Sequence, residues 1–186
     1  TAGGYSKVCG IAYGTPIVGA GDGTGFALEN GRMLHLSSTG YSDVGGFAPG
    51  TPFVGAGNGA IFALEGSTMY HVTSSGYTNV GTFSPGSTFV GAGDGTGYAV
   101  DNGVLYHITA TGYANICGLA AGSRLVGGGD GTAFALENGT LLHITSTGYS
   151  TIGTVGADSI LTDVGVPEPA TLGLLGLGAL GLLRRR

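Results

Sequence analysis

The chain has 186 residues, enough for one domain with a packed core. Only 9% of them are charged, against about 25% in an ordinary globular protein, and its 41 glycines are about three times the usual share. Disorder is excluded for most of the chain, because 42% of residues are hydrophobic and Val, Ile, Phe and Tyr recur at regular spacing, which marks the glycines as turn residues. Before position 167 only Lys7, Arg32 and Arg124 oppose ten carboxylates, and this net charge of −7 excludes nucleic acid or an anionic lipid surface as a partner of the body held by charge.

The chain opens TAGGYSK, with no initiator Met and no basic-then-apolar leader, so a processed or truncated form is expected. From Gly14 a segment of GTPIVGAGDGTGFALENGRMLHLSSTGYSDVG type begins, and it begins again at Gly50, Gly86 and Gly122. The spacing is 36 residues each time, without an insertion, so each copy occupies the same structural environment. Within the first copy four extended runs are predicted, Pro16–Ala20, Gly25–Glu29, Arg32–Ser37 and Tyr41–Phe47. Gly-Asp-Gly-Thr, Asn-Gly and Ser-Thr-Gly separate them, and Asp-Gly and Asn-Gly between apolar runs signal type I′ hairpins. The expected unit is a four-stranded antiparallel meander.

Meanders repeated at about this period build β-propellers, in which both faces of a blade are packed. That accounts for apolar residues on both parities of Met33-Leu34-His35-Leu36. The fold expected is all-β, a propeller-like array of four full blades and two half-blades over residues 1–165. Gly4–Cys9 matches the last strand of a repeat, and Gly156–Leu161 matches the first. The two ends either share a fifth blade, whose middle strands are absent, or leave edges that pair with another molecule in a homo-oligomer or filament. The pattern is similar to short-blade propellers of the tectonin type and departs from them in having no Trp, so no ligand specificity carries across.

Four rows of polar or aromatic residues recur with the repeat. Asp22, Asn58, Asp94 and Asp130 sit in glycine-rich turns superficially like calcium-binding repeats, but those recur every nine residues, so side-chain bonding within a turn is the simpler reading. Tyr41, Tyr77, Tyr113 and Tyr149 either pack blade on blade or stack on sugars. These eight residues are the candidate ligand contacts, for calcium or glycan at the loops and glycan at the tyrosines. His35, His71, His107 and His143 form a ring in a propeller, yet equivalent strand positions stand too far apart for shared coordination, and no metal or other cofactor is expected. Glu29, Glu65, Asp101 and Glu137 recur before a turn, and no carboxylate pair or nucleophile with its base breaks the symmetry, so the chain is read as not an enzyme. Cys9 and Cys117 occupy equivalent positions three repeats apart, and ring closure would be needed for them to pair.

The last stretch, VPEPATLGLLGLGALGLLRRR at 166–186, has three parts: a rigid Pro167-Glu168-Pro169 hinge, a chargeless run from Ala170 to Leu183, and Arg184, Arg185 and Arg186. As a helix that run spans about 21 Å, short of the roughly 30 Å hydrocarbon core, so it makes a marginal transmembrane anchor. The terminal arginines hold their end on the cytoplasmic side and place the body outside the cytoplasm.

This tail resembles the PEP-CTERM sorting signal. The resemblance implies an exported protein, transiently anchored in the inner membrane, processed near Pro167–Pro169 by an exosortase and passed to the cell surface or extracellular space. It also implies a biofilm-type matrix, where a structural or adhesive protein or an exopolysaccharide-binding module would serve.

Overall fold

The structure, a computed structural model, describes residues 10–120, 122–156 and 159–161. The first repeat folds as β1 (Ile17–Gly19), β2 (Gly25–Glu29), β3 (Arg32–Ser37) and β4 (Gly40–Gly46). The second gives β5 (Phe53–Gly57), β6 (Ala60–Glu65), β7 (Thr68–Thr73) and β8 (Gly76–Thr82). The third gives β9 (Thr88–Gly91), β10 (Gly97–Asp101), β11 (Val104–Thr109) and β12 (Gly112–Gly118), and the fourth β13 (Arg124–Gly127), β14 (Ala133–Glu137), β15 (Thr140–Thr145) and β16 (Gly148–Thr154). Each repeat is one four-stranded antiparallel meander, and no helix occurs among the described residues. The expected tail helix and the boundary at 165/166 lie outside the described residues.

Local chemistry dictates the hairpins. Asn30 and Gly31 take φ of 49° and 79°, the left-handed pair a type I′ turn requires, and Asn102-Gly103 and Asn138-Gly139 repeat it. The Asp-Gly loops differ from the type I′ expectation. In the first repeat only Gly21 and Gly23 have positive φ, because the Asp22 carboxylate accepts the Thr24 amide at 2.9 Å and holds an open Asp-x-Thr turn. The second repeat has Asn58-Gly59 followed by Ala60, and there the tight left-handed pair does form, at 51° and 76°.

Every fourth strand carries a β-bulge. Leu34 faces Asp43 while Met33 faces Gly45, so Val44 is the extra residue, and the same shift recurs in the other three repeats. Asp43 and Asn79 stabilise their bulges by accepting the amides of Gly45 and Gly81, at 3.0 and 2.8 Å.

The blades pack in sequence, with the first strands innermost and the fourth strands outermost. One face of each blade meets the opposite face of the next: Phe26, Leu28 and Met33 against Ile61, Ala63 and Val72, and Tyr98 and Leu105 against Ala133, Leu142 and Ile144. The core is therefore a series of seams. Inner strands approach so closely that a Cβ on Gly91 would lie 2.6 Å from the Gly55 carbonyl carbon, and only glycine fits there. Backbone hydrogen bonds cross the same seams, from Gly59 N to Ala20 O (3.0 Å), Gly95 N to Ala56 O (2.8 Å) and Gly131 N to Ala92 O (2.8 Å).

Past β16 the chain repeats the linker turn that enters each new blade, with Ser159 N donating to Gly156 O at 2.9 Å as Ser123 N does to Ala120 O. The described residues of the expected terminal strand, Gly156 and Ser159–Leu161, are not in strand conformation. A first strand pairs with the second strand of its own blade.

Candidate functional site

The loop row lies between the first and second strands of each repeat. Asp22, Asp94 and Asp130 are exposed, and each carboxylate turns back on the threonine two residues later. The Thr24 and Thr132 hydroxyls hold the carboxyls of Asp22 and Asp130 below the usual range. Asn58 instead donates its side-chain amide to the Asp94 carbonyl at 2.5 Å, tying one loop to the next. Tyr98 reaches the same region from within the core and donates its hydroxyl to Gly131 O at 2.7 Å. Burial, with Asp94 and Asp130 nearby, pushes its pKa up to about 12.

Each histidine sits directly across from the aromatic residue of the second strand. Ring centroids are 5.1 Å apart for Phe26 and His35, 5.4 Å for Phe62 and His71, and 5.2 Å for both Tyr98–His107 and Phe134–His143. Burial lowers the pKa of His71 and His107. Among the described residues no three His, Cys, Asp or Glu side chains converge as a metal site.

The carboxylates before the second turn have a role that sequence reasoning missed. Glu29 accepts the Ala12 amide (2.6 Å), Glu65 the Ala48 amide (2.5 Å), Asp101 the Ser84 amide (3.2 Å) and Ser87 hydroxyl (2.9 Å), and Glu137 the Ala120 amide. Each one fastens a blade to the linker that enters it. The signal available in the sequence was a carboxylate recurring 17 residues after a linker position.

The tyrosine row lies on the outermost strands. Tyr77 packs into the seam between the first and second blades, its ring 5.2 Å from Phe47 and 5.4 Å from Tyr70, over Gly45, where a Cβ would come within 2.5 Å of Cε1. Tyr113 repeats this in the next seam with Phe83 (4.9 Å) and Tyr106 (5.3 Å) over Gly81. Both tyrosines remain 46% exposed. Tyr149 has Cys117 and Leu119 at the corresponding positions of the preceding blade and Leu142 in place of Tyr70, and Tyr41 has Leu34 there. The aromatic trios thus occur in the first two of the three seams. Sequence reasoning missed them, although Tyr70 and Tyr106 replacing Leu was a visible break in the repeat. Burial raises the Cys117 pKa, while Cys9 lies outside the described residues.

The first strands border an open hollow of about 370 Å³ lined by Val18, Val54, Val90, Val126 and neighbouring apolar residues and glycines, with no titratable group.

Fold and seams define a class: an all-β, propeller-like array of repeated four-stranded blades. Residues 165–186 match the PEP-CTERM protein-sorting motif, so the chain carries the substrate signal for exosortase processing and, with it, for export and transient membrane anchoring. No curated protein matches the chain. Among solved structures the body is similar to PorZ, an essential bacterial surface component of the type-IX secretion system of Porphyromonas gingivalis, at 14% identity and a TM-score of 0.55 over 83% of this chain and 23% of that one. It is also similar to the GH74 xyloglucanase of Xanthomonas campestris, at 14% identity and a TM-score of 0.54 over 74% of this chain and 25% of that one. The chain spans about a quarter of the length of each, and the likeness is one of fold.

Proposed function

We propose that this is a non-enzymatic structural and adhesive protein of a biofilm-type extracellular matrix, delivered through its sorting motif. The observation that carries the reading is how the recurring polar side chains are used. The carboxylates staple blades to linkers, the loop aspartates close their own turns, and the histidines lie on aromatic rings. Identical modules held together in this way suit a load-bearing or displaying role rather than chemistry, which needs an asymmetric constellation. The test is fractionation of the native host after replacing Pro167-Glu168-Pro169 by alanines. The unaltered protein is expected in the matrix fraction and the variant in the membrane fraction; an unaltered protein that stays with the cells would refute the reading.

One observation favours a second reading, self-assembly. The outward face of the fourth blade has the composition of the faces that are covered in the other three. Yet Ile152 and Val155 are 55% and 42% exposed where Val80 and Phe83 are 5% and 2% exposed, and Phe134 is only half-buried. Light scattering over a wide concentration range is expected to show growth by addition of copies, and a constant monomer mass would refute it.

A further inference from the structure

We infer that the first two seams are a paired binding site for a neutral polysaccharide, with Tyr77 and Asn79 forming one half and Tyr113 and Asn115 the other. The inference rests on the matrix reading above and names the partner chemistry of its adhesive surface.

The register places the residues together. Tyr77 lies opposite Val72 and Asn79 opposite Tyr70, so Tyr70, Tyr77 and Asn79 share one face of the second blade. In the third blade Tyr113 lies opposite Ile108 and Asn115 opposite Tyr106, with the same result. Each tyrosine is held against two aromatic neighbours, on a glycine that admits no side chain, so a partly exposed tyrosine is presented to solvent with little rotamer freedom left to lose. Asn79 is exposed beside it. Its Oδ1 is committed to the Gly81 amide, which turns the side-chain NH2 outward as a donor. An oriented aromatic face next to an amide donor matches a pyranose ring, which offers an apolar C–H face and a rim of hydroxyl acceptors.

The flanking blades lack the combination. The first has Asp43 at the Asn79 position, ion-paired with Arg32, and the fourth has Thr151. The body's net charge of −7 disfavours an anionic polymer, and the half-site residues include no carboxylate to pair with a cationic one, so a neutral polymer fits them. Two half-sites with the same residue types in successive blades suit a polymer with repeating units, since the second contact becomes intramolecular once the first is made.

The test is affinity electrophoresis of the purified full chain through gels containing hydroxyethyl cellulose, dextran or galactomannan, with alginate as the anionic comparison. Retardation by at least one neutral polymer is expected, with none by alginate. Losing one half-site by Tyr77→Ala is expected to weaken binding about 100-fold, as loss of avidity does. Because that change also empties the seam, Asn79→Asp serves as the second variant. It keeps the acceptor that the bulge needs, as Asp43 does in the first blade, and removes the donor, so folding is retained while binding weakens at least fivefold. Retardation by no neutral polymer, by alginate alone, or as strong in both variants as in the unaltered chain would overturn the inference. Fractionation of the host tests the matrix reading separately, so failure of one is distinguishable from failure of the other.

Discussion

Gly19, Gly55, Gly91 and Gly127 hold one repeat position, and the structure gives them different surroundings. A Cβ at Gly91 would overlap the Gly55 carbonyl oxygen, lie 2.6 Å from its carbon and come within 2.9 Å of Ala56 Cα, all backbone atoms that cannot rotate away. Carbon atoms need about 3.5 Å, so the carbon contacts alone require β9 to move at least about 1 Å from β5 in Gly91→Ala, and the overlap with the oxygen requires more. Overpacking of this kind costs about 1–3 kcal/mol, and weakening the Gly95 N to Ala56 O bond across the same seam adds about 1 kcal/mol. We predict a loss of about 3 kcal/mol, or about 6–12 °C in Tm for a chain of this size. Gly19 has no atom within 4 Å of a built Cβ and has no positive φ, so Gly19→Ala is expected to change stability by no more than about 0.5 kcal/mol. Urea unfolding followed by far-UV circular dichroism measures both. Equal losses at 19 and 91 would show that the glycine serves the strand itself and not the seam.

Glu65→Ala removes the acceptor for the Ala48 amide and is expected to cost about 1 kcal/mol in urea unfolding, with Glu65→Gln recovering most of it. Burial lowers the pKa of His71 and His107 beneath 6.5, so the unfolded chain takes up protons that the folded one resists. Their contribution is present above pH 6.5 and lost as pH falls through the folded values, and the urea midpoint should drop on acidification over that range. Tyr98 has the opposite sense at the alkaline end. Its contribution holds below pH 10 and is lost as pH rises through about 12, so ultraviolet titration should show a late-ionising tyrosine that Tyr98→Phe removes.

The blade itself was legible along the chain, because hairpin pairing is local. Strands Gly25–Glu29 and Arg32–Ser37 were expected with the bounds the structure has, since Asn30-Gly31 can form only a tight left-handed turn between them. The Asp-Gly loops were less legible. Whether Asp22 closes a two-residue turn or holds an open one depends on the hydroxyl two residues later, as the contrast with Asn58-Gly59-Ala60 demonstrates. The sorting motif was legible for a different reason: it is a linear signal, read without a fold.

The sequence by itself determined the repeat, its four strands and the turn residues that separate them, all set by interactions within a few residues. Only the tertiary structure decided what the repeated positions are for. Four glycines, four tyrosines and four carboxylates look equivalent along the chain, yet their energies depend on the blade alongside. Gly91 has a backbone against it where Gly19 has none, Tyr77 and Tyr113 sit in aromatic trios where Tyr41 and Tyr149 do not, and all four carboxylates hold linkers. These roles arise from contacts half a repeat to one repeat away in sequence, and packing alone creates them.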